Sequence, residues 1–103
     1  MAFTSTVGRY ASFGTVATIP GEVIDAFWYI IDNHLKGVFS LGNLLNFELI
    51  NQRGKLSIRF SQEDDAFTEI VVDFEYPFDP AWPRLFHAVD QMGRETIMTP
   101  SEI

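Results

Sequence analysis

Two runs of strict alternation constrain this chain more than any other feature in it. Leu45, Phe47 and Leu49 alternate with Asn46 and Glu48, and after Asn51-Gln52-Arg53-Gly54 the pattern resumes with Leu56, Ile58 and Phe60 against Lys55, Ser57 and Arg59. Successive strand side chains point to opposite faces, so such a pattern demands a sheet with one face buried and the other wet. Gly54 supplies the positive φ that a tight turn needs, and the two runs read as a hairpin. A third alternating run, Phe67 to Tyr76, follows the charged turn SQEDD.

A buried sheet face requires a cover, and TIPGEVIDAFWYIIDNHLKG provides it. Pro20 suits a helix start, where its missing N–H costs nothing, and Glu22 and Asp25 sit where the helix dipole favours acids. Val23, Ile24, Phe27, Trp28, Ile31 and Leu35 form a wide apolar stripe, with Glu22, Asp25, Tyr29, Asp32 and Lys36 opposite. Gly37 ends the helix.

The flanks are less regular. Arg9 to Ile19 is rich in Tyr, Phe, Thr, Val and Ile around Gly14, and reads as a first strand with a bulge or close approach at the glycine. GVFSLGN is a connection. PFDPAWP, with three prolines, is an irregular surface crossing in which Phe78 and Trp82 either stand exposed or fold back over the sheet. In RLFHAVDQMGRETIMTPSEI, Leu85, Phe86, Val89 and Met92 fit a short helix, but Asp90-Gln91-Met92-Gly93 offers turn chemistry and Glu95 to Thr99 suits a strand, which favours a hairpin. The expected architecture is α+β, a single domain over residues 1–103 with one amphipathic helix on one face of a mostly antiparallel sheet of four to six strands.

Composition narrows the function classes. At 47% hydrophobic residues, with ten Phe, the 103-residue chain can build a packed core. A net charge of −7 argues against direct binding to nucleic acid or an anionic membrane and favours basic partners. Without cysteine there is no disulfide scaffold, thiol nucleophile or Cys-ligated zinc. The opening MAFTSTVGRYASFG lacks a signal-peptide core and no apolar run approaches the roughly 18 residues of a membrane span, so the expected location is the cytoplasm of a host cell.

Catalytic and cofactor signatures are sparse. There is no Gly-x-Ser-x-Gly turn and no phosphate-cradling glycine loop. Glu63-Asp64-Asp65 lacks the ligand spacing of a calcium loop, and two distant histidines make no metal set. His34 reads as a helix C-terminal dipole partner and His87 as a strand residue. No catalytic site, metal or cofactor is expected; an enzyme using paired acids and His87 is the alternative, and an oligomerising accessory protein with a free edge strand is a third.

The acids are unevenly placed. Seven of fourteen (Glu63, Asp64, Asp65, Glu69, Asp73, Glu75, Asp79) lie between Ser61 and Asp79, and no Lys or Arg lies between Arg59 and Arg84. On the third run Thr68, Ile70, Val72, Phe74 and Tyr76 share one face, while Glu69, Asp73 and Glu75 share the other with Phe67 and Val71. Lys55 and Arg59 would oppose these acids across an antiparallel pair, without enough positive charge to cancel them.

Together the motifs Arg9-Tyr10, Gly14, Ile19-Pro20, Trp28, Ile31-Asp32, Phe47 with Leu49, Gly54-Lys55, Gln62-Glu63 and Pro100-Ser101-Glu102 make the chain similar to a family of short uncharacterised proteins from Gram-positive bacteria and their phages. The resemblance implies a fold and a setting but no reaction, and its strand-turn-strand tail supports the C-terminal hairpin. PFDPAWP departs from the family pattern. In size, acidity and lack of cysteine the chain also resembles, by type, phage-encoded anti-CRISPR inhibitors. The resulting expectation is a non-enzymatic inhibitor whose Glu63, Asp64, Asp65, Glu69, Asp73 and Glu75, anchored by Trp82, occupy the basic nucleic-acid-binding surface of a host protein such as a CRISPR effector nuclease.

Overall fold

The computed structural model describes residues 2–63 and 65–103, giving residues 65–68 their place in a strand but not their side chains. The elements in order are β1 (Gly8–Ala11), α1 (Phe13–Thr18), α2 (Gly21–Ile30), a π-helical turn (Ile31–Leu35), β2 (Leu44–Gln52), β3 (Lys55–Gln62), β4 (Asp65–Pro77), β5 (Leu85–Gln91), β6 (Arg94–Met98) and a short 3₁₀ turn (Pro100–Glu102). The six strands form one sheet in the order β1-β6-β5-β2-β3-β4. Among the described residues, only β1 and β6 run parallel. The α+β expectation, one main helix on a mostly antiparallel sheet, holds.

The two central hairpins share a device. β2 pairs with β3 so that Phe47 faces Phe60 and Leu49 faces Ile58, all four buried. The turn places Arg53 and Gly54 at φ of 55° and 86°, and the Asn51 side chain accepts from the Gly54 N–H at 2.7 Å. The β5–β6 turn repeats this: Met92 and Gly93 at 56° and 91°, with Asp90 accepting from the Gly93 N–H at 2.8 Å. Two consecutive left-handed residues match the twist of the flanking strands. Asp90 also accepts from the Phe3 N–H at 2.8 Å, drawing the N-terminal segment over the sheet and burying Phe3. The helical alternative for the tail is thereby settled: Phe86 and Ala88 face the core, and Met92 is 97% exposed at the turn.

The helix covers one sheet face through Val23, Ala26, Phe27, Ile30, Ile31 and Leu35. Phe27 is the centre of the contact, with ring centroids 5.1 Å from Phe47 and 5.6 Å from Phe86. Beyond Ile30 the ladder widens to a π-turn in which the Lys36 N–H reaches the Ile31 carbonyl at 3.0 Å, and Gly37 at φ 78° turns the chain away.

The expected first strand from Arg9 to Ile19 is corrected. Only Gly8–Ala11 is strand, and Phe13–Thr18 is a helix. Ser12 is its N-cap, accepting from the Thr15 N–H at 3.2 Å, while the Thr18 hydroxyl donates to the Gly14 carbonyl at 2.7 Å. Local capping by hydroxyls outweighs the β preference of a Thr- and Val-rich segment. Gly14 is a close-approach point: a Cβ there would lie 3.0 Å from the Glu102 carboxylate, which accepts from the Gly14 N–H at 3.1 Å.

Candidate protein-binding face

Parity along β4 divides the acidic stretch. Ile70, Val72, Phe74 and Tyr76 are half-buried against the core, and Glu69, Val71, Asp73 and Glu75 are exposed on the face that the helix does not cover. Alternate strand residues are about 6.8 Å apart, so Asp73 and Glu75 are neighbours in a row.

Opposite them on β3 stand the expected cations. Lys55 is paired with Glu75, while Arg59 turns chiefly to Glu48 on β2 and reaches Glu69 only at 3.9 Å. Asp73 accepts instead from the Ser57 hydroxyl at 2.5 Å, because Ser57 is its register partner. Among the residues whose side chains are described, four carboxylates (Glu48, Glu69, Asp73 and Glu75) thus meet two cations on β2 to β4. Exposed pairs of this kind contribute only about 0.2–1 kcal/mol each. The patch is partly neutralised and stays net negative.

The remaining expected members divide. Glu63 is exposed in the β3–β4 turn beside a shallow groove with Gly42, Asn43, Leu44 and Gln62. The neighbouring Gln62 is buried and structural: its amide oxygen accepts from the Gly42 N–H at 2.8 Å and its nitrogen donates to the Ser40 carbonyl at 3.2 Å. Asp64 lies outside the described residues, and Asp65 begins β4 opposite Gln62. Asp79 belongs to the crossing, where it accepts from the Ala81 N–H at 2.9 Å. Trp82 is half-buried; it stacks on Tyr76 at 6.2 Å and meets Phe78 edge-on at 5.7 Å. Tyr76 belongs to the helix side of β4, so Trp82 and the acid row occupy opposite sides of the sheet. Both aromatics of PFDPAWP fold back over the core.

His87 lies in β5 between its register partners Asn46 and Met98, nine-tenths buried. Two strands, β2 and β3, separate it from β4, roughly 14 Å at about 4.8 Å per strand. The acid row of β4 is therefore not assembled with His87. His34 packs edge-on against Tyr29 at 5.6 Å. Among the described residues no group of three or more His, Asp or Glu could hold a metal.

Two of the groups that tie stability to pH are His87 and Glu102. Burial lowers the His87 pKa below its ordinary 6.5, so the folded state resists its protonation and loses stability as pH falls below 6.5. The Glu102 carboxylate, hydrogen-bonded first by the Ser12 hydroxyl and then by Thr99, is lowered from 4.5 to about 2, and its contribution, present above 4.5, is lost as pH falls toward 2. In urea titrations the parent is expected to lose stability between pH 7.5 and 5.5. His87→Gln should remove that slope, and Glu102→Gln should flatten only the window from 4.5 to 2. Identical slopes in parent and His87→Gln would reject the assignment.

Residues 8–102 match the protein family described as "Staphylococcal protein of unknown function (DUF960)". A crystal structure of a protein of unknown function from Enterococcus faecalis is 43% identical, with a TM-score of 0.90 over 93% of this chain and 90% of that one. Among curated proteins no match was found. No described helix is long and apolar enough to cross a membrane.

Proposed function

The chain belongs to this staphylococcal family of unknown function, and we propose that it is a non-enzymatic binding protein whose uncovered sheet face engages a basic surface on a protein partner. The reading is carried by one observation: Glu69, Asp73 and Glu75 stand exposed in a row on that face, where, among the described side chains, four carboxylates meet two cations. A negative face with exposed Val71 and Leu85 beside it has the composition of an interface rim with some apolar content. Complementary charge speeds encounter and selects among partners. A nucleic-acid-handling protein, of which a CRISPR effector nuclease is one, offers the basic groove such a face would fill, and the protein would then act as an inhibitor that keeps guide RNA or DNA out.

Affinity capture from host lysate with nuclease treatment identifies the partner, and the triple variant Glu69→Gln, Asp73→Asn, Glu75→Gln tests the face. Each lost rim charge is expected to cost about 0.3–1 kcal/mol, together about 5- to 150-fold in Kd at low salt. The difference should shrink with added salt as the parent's advantage is screened. Folding should be nearly unaffected, because the pairs lost are exposed. A folded triple variant that binds as tightly as the parent at both salt concentrations would falsify the proposal.

A further inference from the structure

β4 is the terminal strand of the sheet, thirteen residues long, and among the described residues it pairs on one side only, with β3. Alternate residues of such a strand aim their N–H and C=O groups outward. Among the described residues no backbone group from Glu69 to Tyr76 bonds outside the sheet ladder. Pairing with β3 is regular from Glu69 to Asp73, with a register irregularity on either side, and this regular stretch contains neither the proline nor the lysine that commonly blunts a long edge. The opposite edge offers less, because β1 is four residues long and its Arg9 is engaged with Asp32 and Glu95.

Beside the β4 edge lies an open groove of about 530 Å³ between the helix and the strand, lined by Tyr29, His34, Val72, Asp73, Phe74 and Glu75. Tyr29 is half exposed and meets Phe74 edge-on at 6.2 Å, so the groove wall is aromatic. The two sides of the edge therefore differ. Toward the helix it presents Tyr29, Val72 and Phe74; toward the uncovered face it presents Glu69, Asp73 and Glu75.

A second copy of the chain is a poor occupant. In an antiparallel two-fold pairing centred on Val72, Glu69 of one copy falls opposite Glu75 of the other, and directly opposed like charges destabilise a sheet. The matching occupant carries positive charge on one parity and apolar side chains on the other. Resting on the acidic-face reading above, we infer that β4 accepts an extended segment of the partner as a seventh strand, with Lys or Arg alternating with apolar residues. Backbone hydrogen bonds supply the pairing, the basic residues meet the acid row, and an apolar side chain enters the Tyr29–Phe74 groove.

The probe is a nine-residue peptide alternating Lys and Val, compared with the same peptide N-methylated at alternate residues, in both registers. Binding is read by fluorescence anisotropy, and amide hydrogen exchange reports on β4. The expected result is protection of β4 amides by the parent peptide and a loss of about tenfold or more in affinity for one N-methylated register, since it lacks the donors of the added strand. Tyr29→Ala, which removes no charge and leaves the fully buried core side chains in place while opening the ring contacts with His34 and Phe74, should weaken the parent peptide about tenfold if the groove takes an apolar side chain. Equal binding of parent and both methylated peptides would overturn strand addition while leaving the acidic-face proposal intact. No binding of any peptide overturns strand addition as well, and the captured partner with the triple variant then decides the face independently. A concentration-dependent dimer in sedimentation that protects the same amides would give the edge to a second copy and likewise overturn the inference.

Discussion

Phe27→Ala is expected to destabilise the fold by about 3–5 kcal/mol, most of what a domain of this size has to lose. Phe27 has no exposed surface and sits where the helix meets the middle of the sheet. Its ring lies against Phe47 and Phe86 on adjacent strands, and the chain of rings continues from Phe47 to Phe60 at 5.9 Å and from Phe60 to Phe39 at 6.1 Å. Truncation leaves a cavity bounded by side chains whose backbones are fixed by strand pairing on both sides. A rigid wall cannot collapse into the hole, so the cost belongs at the upper part of the large-to-small range. The thermal midpoint should fall by on the order of 20 °C. Val71→Ala, on the exposed face of β4, is the matched control and should shift it by no more than a few degrees, since little apolar area is lost there. A Phe27→Ala protein melting within five degrees of the parent would show that the helix is not clamped to the sheet at this point.

The parts of the fold that were legible in the sequence are those specified by local period and turn chemistry. The alternation in β2 and β3, Gly54 between them, and the stripe from Val23 to Leu35 each act within a few residues, and each formed as read. The acid row was legible for the same reason: side-chain parity in β4 follows from the pleat alone. What escaped reading depends on residues distant in sequence. The segment after Ala11 looks β-prone, yet its helix is held by Ser12 and by Glu102, 90 residues from Ser12, acting on Ser12 and Gly14. Phe3 carries no periodic pattern and is buried because Asp90 draws its backbone in. Lys55 and Arg59 were expected against the acids, but Arg59 had a second carboxylate, Glu48, directly opposite on β2, and took it. The edge position of β4 has no local signal at all. It exists because β5 returns to pair with β2 instead of β4, and this routing also turns Trp82 inward over Tyr76.

Glu95→Ala is expected to cost about 2–4 kcal/mol, the second largest single effect. Glu95 is fully buried on the helix side of β6, where it accepts from the Thr6 hydroxyl at 2.6 Å and from Arg9 Nε at 3.1 Å. Arg9 reaches onward to Asp32 with two hydrogen bonds of 2.8 and 2.5 Å and lies over the Trp28 ring at 4.8 Å. One guanidinium thus joins the edge strand β1, its neighbour β6 and the end of the helix. Removing one partner of a buried ion pair typically costs 3–5 kcal/mol because the other charge is left uncompensated, at about that range. Arg9 is a quarter exposed and keeps Asp32, which moves the expectation toward the lower end. Glu95→Gln, which preserves shape and an acceptor for Thr6, should cost roughly half as much. A double-mutant cycle with Arg9→Met isolates the pair: a coupling of about 1–3 kcal/mol in urea unfolding is expected, since the two residues share a network. Hydrogen exchange should show β1 amides losing protection before those of β2 and β3, because among the described residues β1 pairs with no strand except β6. A coupling near zero would mean that Thr6 and packing alone hold Glu95, and that the edge strand is fastened by its backbone pairing with β6.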